Sequence, residues 1–110
     1  METKAWFILV LASLFEMGWP LGFKLSQTTP FKIPFIILAV ISMALSGYFL
    51  WVAQKTIPIG TAYAVWTGIG AAGTFLIGIF FFKDPVSMLR ILSFFLIIAG
   101  VVGLRLSHQA

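Results

Sequence analysis

Residues 6–25 read WFILVLASLFEMGWPLGFKL, a run of 20 residues with a single acid, Glu16, near its middle. A helix needs about 20 predominantly apolar residues to cross roughly 30 Å of hydrocarbon. This run meets that requirement, and it is far longer than a signal-peptide core, with Ser13, Glu16 and Gly18 forming no small-residue cleavage site. Glu16 falls about ten residues into it, which at a rise of about 1.5 Å per residue puts the side chain near the bilayer midplane.

An acidic residue at the centre of a spanning helix costs about 2.5 to 3.5 kcal/mol on insertion scales. Glu16 should therefore face a cavity and be neutral or paired most of the time. Such a group is the physical basis of proton coupling. It is protonated when empty and must give up the proton before a cation can bind, so proton and cation compete. The competing role is a structural Glu hydrogen-bonded between helices.

By i+3 and i+4 spacing, Leu9, Ser13, Glu16, Trp19, Pro20 and Phe23 share one face of this helix. The carboxylate is thus flanked by a hydroxyl and an indole. Pro20 has no N–H, and the bond it would make in a regular helix goes to the carbonyl of residue 16 itself. Either Pro20 is a tolerated kink, or the freed carbonyl accepts a hydrogen bond from water or substrate.

Three more apolar segments, 33–53, 57–82 and 86–106, follow the first and fill almost all of the 110 residues, of which 61% are hydrophobic and 9% charged. The expected fold is an all-α integral membrane protein with four transmembrane helices and no room for a soluble domain. The breaks fit: Ser26 to Pro30 is turn chemistry, Pro58 suits the first turn of the third span, and Asp84 with Pro85 suits the N-cap and first position of the fourth. Trp6 and Trp51 sit near segment ends, as interfacial anchors do.

The chain has no cysteine, and His108 alone cannot make a zinc site, so no metal and no cofactor are expected. The net charge of +4 comes from cations scattered near segment ends, which argues for membrane-interface anchoring and against nucleic acid. Four spans place Lys4, Lys55 and Arg105 on one side and Lys24, Lys32, Lys83 and Arg90 on the other. So small an imbalance scarcely biases insertion under the positive-inside rule. Four helices also cannot comfortably enclose a water-accessible path around a carboxylate. Both points favour an antiparallel, dual-topology homodimer with the inverted symmetry of alternating-access transporters.

In the third segment Tyr63, Trp66 and Gly70 share a face, and Gly68, Gly70, Gly73 and Gly78 thin the helix. Glycine costs helix stability, so these positions need a reason: close packing against a neighbour, or a conformational hinge at Gly68 and Gly70. Tyr63 and Trp66 are expected to wall a pocket for the carboxylate. Ser42 and Ser46 lie one turn apart in the second segment, where bonding to their own backbone is the commoner role. Ala99, Gly100 and Gly103 in the aliphatic fourth segment read as a helix-association surface.

Two stretches carry a family resemblance: FEMGW at 15–19 with Lys24 downstream, and PIGTAYAVWTGIG at 58–70. Through them the whole chain resembles the small multidrug resistance family of four-helix exporters, and within it the guanidinium-exporter branch. The resemblance implies an antiparallel homodimer in the bacterial cytoplasmic membrane whose one pocket is shared by two central glutamates, here Glu16, exchanging protons for a guanidinium-type cation. It further implies that Trp19, Ser46, Tyr63 and Trp66 line that pocket with Ser13 nearby, that Gly68 and Gly70 bend the third helix, and that the fourth helix dimerises. The chain departs from the family at Ser13 and Pro20.

The expected function is therefore a proton-coupled antiporter of guanidinium and small substituted guanidinium ions, a secondary transporter and not an enzyme. Guanidinium suits the chemistry, being planar, persistently cationic and able to give paired N–H bonds to a carboxylate. The alternative keeps the mechanism and changes the cargo to quaternary ammonium and other hydrophobic cations held by Trp19, Tyr63 and Trp66. An ion channel and a subunit of a larger membrane assembly are the competing classes.

Overall fold

The computed structural model describes residues 2–107, so His108 lies outside the described residues. Every element is helical: α1 (Glu2–Glu16), α2 (Gly18–Thr28), α3 (Lys32–Ala53), α4 (Ile59–Phe82) and α5 (Met88–Ser107). Taken together, α1 and α2 form a first span, Thr3–Thr28, and with α3, α4 and α5 make four helices long and apolar enough to cross a membrane.

Where the sequence predicts one helix over 6–25, the hydrogen-bond ladder is interrupted once, at Met17, whose backbone stays helical at φ −70° and ψ −23°. The Met17 N–H donates to the Leu14 carbonyl at 3.2 Å, a tightened i−3 bond, and the Leu21 N–H donates to the Met17 carbonyl at 3.3 Å. Pro20 sits inside this stretch. With no N–H to give residue 16 and a ring that crowds that carbonyl, it opens the ladder one turn upstream of itself.

The other boundaries have local causes. Thr29 takes an extended ψ of 165°, as the residue before Pro30 prefers, and ends α2. Pro58 stands at the N-cap of α4, outside the first turn where the sequence reading put it, and its carbonyl takes the first bond, from the Ala62 N–H at 2.9 Å. Lys83, with φ at 57°, closes α4 in the left-handed conformation.

Asp84 does not cap the fourth span as expected. Residues 83–87 are not helical, and α5 begins at Met88. Ser87 is the cap: its Oγ accepts from the Arg90 N–H at 3.2 Å, and its carbonyl takes the first helical bond, from Ile91 at 3.0 Å. The Asp84 N–H instead donates to the Gly78 carbonyl at 3.0 Å, folding its carboxylate back against Gly78 at the end of α4.

The start of α1, the end of α3 and the start of α4 meet in one apolar cluster, Ala5, Trp6, Leu9, Ala53, Ile57, Ala62 and Val65, with Val101 and Leu104 of α5 against it. The helices therefore run up and down, and Lys4, Lys55 and Arg105 gather at one end. Trp6 is part of this core at 7% exposure, with the Arg105 guanidinium 4.9 Å from its ring centroid. The expected anchor is thus packed inside. Trp51 is 58% exposed and carries Lys55 Nζ over its ring.

At the other end the first span and α3 approach through small residues. Gly18 faces Ser42, and a Cβ on Gly22 would stand 2.8 Å from the Phe35 carbonyl and 3.0 Å from the Ala39 Cβ. Gly18 and Gly22, four apart, form the small-residue pattern that lets membrane helices pack closely. The backbone of α5 comes close only to α4, its side chains reach Trp6 at one end, and it has no buried residue. The whole is a slab of 47 × 34 × 17 Å, shallow for four helices of about 10 Å diameter.

Candidate functional site

Glu16 stands directly before the interrupted ladder at Met17. Being the last residue of α1, Glu16 has its side chain against α4, where Gly70 supplies the space. A Cβ at Gly70 would lie 2.6 Å from Glu16 Cγ and 3.4 Å from its Cβ. One turn on, the Met17 thioether fills the corresponding notch at Gly73. Two glycines of α4 thus receive two successive side chains of the broken span.

The Trp19 Nε1–H donates to Glu16 Oε1 at 2.8 Å. Sequence spacing of three residues puts them together, and the Trp19 indole is steadied by Phe23, edge to face at 5.8 Å. The carboxylate is half-buried. It opens on a cavity of about 220 Å³ lined by Glu16, Pro20, Thr67, Gly70, Ala71 and Thr74. At about 30 Å³ of liquid volume per water, this is room for a small hydrated cation.

Thr67, Ala71 and Thr74 are lining residues that the sequence reading passed over. Their signal was present as a polar and small stripe at helical spacing around Gly70.

A second constellation lies one turn back along α1. The buried Ser46 hydroxyl of α3 donates to the Ala12 carbonyl of α1 at 2.8 Å and accepts from Trp66 Nε1 of α4 at 2.8 Å. Three spans therefore meet on one oxygen. Tyr63 stacks obliquely on Trp66 at 5.5 Å between ring centroids and is itself 57% exposed. Ser46 bonds across helices, where the sequence alone left its own backbone as the commoner partner.

Ser13, expected near the carboxylate, is fully buried and donates to the Leu9 carbonyl of its own helix at 2.8 Å. Neither Ser13, Trp19, Ser46, Tyr63 nor Trp66 lines the cavity beside Glu16 within one chain. α4 is continuous through Gly68 and Gly70, and both glycines serve close approach, Gly68 to the Val101 methyl at 2.5 Å from its missing Cβ and Gly70 to Glu16. Ala99, Gly100 and Gly103 of α5 are exposed, with open space beyond the two glycines.

Taken as chemistry, the site offers one carboxylate oriented by a neutral donor, two threonine hydroxyls and an open side. It can hold a proton or a small cation. Comparison with known proteins agrees on the class. A profile described as Small Multidrug Resistance protein matches residues 4–97. The guanidinium exporter of Yersinia pseudotuberculosis is 48% identical over 103 residues, covering 94% of this chain and 98% of that protein. That of Salmonella typhimurium is 47% identical over 107 residues, with 94% and 97% covered, and that of Citrobacter freundii 43% over 103 residues, with 94% and 97% covered.

Proposed function

The chain belongs to the small multidrug resistance family, and we propose that it is a proton-coupled antiporter that exports guanidinium and small substituted guanidinium ions across the bacterial cytoplasmic membrane. The observation that carries this reading is the Glu16 carboxylate at the centre of the first span, held by Trp19 at 2.8 Å and open to a small cavity. Nearly full-length similarity to proteins named guanidinium exporters supports the cargo.

The working unit is an antiparallel homodimer. One chain is a slab 17 Å thick that leaves the Glu16 cavity open and buries no residue of α5. A second copy, inverted, closes the cavity with its own Glu16 and covers the small residues Ala99, Gly100 and Gly103. The nearly equal cation count at the two ends permits both insertions. Trp66 and Tyr63, anchored through Ser46, become pocket walls across the dimer, and Gly68 and Gly70 allow α4 to bend as access alternates.

Protons and the cation compete for the two facing carboxylates. A guanidinium entering between them takes up the negative charge in paired N–H bonds, which in a water-poor site favours loss of the protons. When the site opens on the proton-rich side, reprotonation releases the cation. No step requires a cofactor or a covalent intermediate.

The test is exchange in liposomes containing the purified chain alone. A pH gradient should drive guanidinium uphill, and Glu16→Gln should abolish that exchange while the protein remains folded. Proton-for-guanidinium exchange by the Gln variant would falsify the assignment of Glu16. Preference for a tetraalkylammonium ion over guanidinium would move the cargo to hydrophobic cations.

A further inference from the structure

We propose that the main-chain carbonyl of Glu16 is a second substrate acceptor beside its carboxylate, and that Pro20 is a specificity-determining residue because it keeps this carbonyl free for cations bearing N–H groups. The inference rests on the guanidinium reading and adds the part of the site that discriminates among cations.

The backbone supplies the first support. α1 stops at Glu16 and α2 resumes at Gly18, the Met17 N–H reaches back to Leu14, and the Leu21 N–H reaches only to Met17. The donor that a continuous helix would bring to the Glu16 carbonyl is the amide of residue 20, and a proline has none. A backbone acceptor stripped of its donor inside hydrocarbon is costly and is tolerated where it lines a cavity.

Such a cavity is present. Glu16 and Pro20 line the same space. Pro20 and Thr74 also border a neighbouring groove that reaches Lys24 and Asp84, charged residues toward the end of the span.

The ligand chemistry makes the feature selective. A paired bond from guanidinium to a carboxylate uses one edge of the ion and leaves N–H groups on its other edges in need of acceptors. A carbonyl one residue's width from the carboxylate takes one of them. A tetraalkylammonium ion has no N–H and gains nothing from it. Restoring the amide at position 20 returns the carbonyl to the helix and removes it from the site.

The experiment compares the full-length chain with Pro20→Ala in bilayer discs, measuring binding of guanidinium and of tetrapropylammonium. Guanidinium should bind roughly tenfold more weakly to Pro20→Ala, equal to about 1.4 kcal/mol, while tetrapropylammonium binds both alike. The second measurement uses the unaltered chain. Glu16-Met17 is its only Glu-Met pair, so carbonyl-13C glutamate with 15N methionine gives a single resolved carbonyl signal. That signal should move on adding guanidinium and stay in place with tetrapropylammonium.

Equal guanidinium affinity in the two chains overturns the inference, as does a stationary carbonyl signal while guanidinium is bound, or equal movement with both cations. Absence of guanidinium binding to the unaltered chain defeats the functional reading together with the inference. Bound guanidinium with an unmoved carbonyl defeats the inference alone.

Discussion

Ser46→Ala should be among the most damaging single-atom deletions in the chain, because one hydroxyl joins three spans. Its loss removes the donation to Ala12 and the acceptance from Trp66, both at 2.8 Å. Each bond contributes about 1 kcal/mol net, and an indole N–H left unpaired away from water costs about 1 to 3 kcal/mol more. Alanine returns roughly 0.5 kcal/mol in helix propensity. The balance is a destabilisation of about 2.5 to 4.5 kcal/mol.

Reversible unfolding in mixed micelles, followed by far-ultraviolet circular dichroism, would measure it. A cycle with Trp66→Phe isolates the shared bond. Because the Phe variant still lets Ser46 donate to Ala12, the two single changes should be non-additive by about 1 kcal/mol or more. A cost for Ser46→Ala below about 0.5 kcal/mol, or a cycle that closes to within about 0.5 kcal/mol of zero, would refute the three-helix node.

Gly70→Ala should cripple transport before it cripples folding: the added Cβ meets Glu16 Cγ at 2.6 Å, pushing the carboxylate off Trp19. A lost charge-assisted bond of about 1.5 kcal/mol or more corresponds to at least about a tenfold fall in guanidinium affinity. Gly60→Ala, with open space around it, should bind normally, and equal affinities for the two variants count against the site. At the fourth span, Ser87→Ala should cost about 1 kcal/mol as a lost N-cap, whereas Asp84→Asn should stay within about 0.5 kcal/mol; the reverse order in chemical denaturation would restore Asp84 as the cap. Gly100→Trp should lower the dimer fraction seen by single-molecule photobleaching in bilayers, and an unchanged fraction would place the dimer contact elsewhere.

Much of the site was legible because it is local. Trp19 stands three residues from Glu16, so helical spacing alone aligns the indole with the carboxylate, and Pro20 announces a missing bond to residue 16 through its chemistry. The break in the ladder that results at Met17 was not legible, since a proline fixes which bond is lost and not how the neighbouring bonds readjust. Asp84 misled for a related reason. Asp-Pro is good helix-start chemistry, but the left-handed Lys83 and the notch at Gly78 draw the aspartate back to α4, and Ser87, an equally good cap, begins the next helix.

The amino-acid sequence by itself determined four spans, a lone acid in the middle of the first and its immediate flank, because hydrophobic length and helical periodicity are properties of neighbouring residues. Only the tertiary structure decided the partners from distant segments. Ser46 could have bonded its own helix, and it bonds Ala12 and Trp66 because α1, α3 and α4 converge on its hydroxyl. The glycines of α4 offer a hinge or a packing surface by sequence, and the structure uses Gly70 and Gly73 as the notches that seat Glu16 and Met17. Trp6 had the position of an interfacial anchor and is core, since the ends of three other helices converge on it. Each of these depends on which faces meet, and no spacing along one helix carries that information.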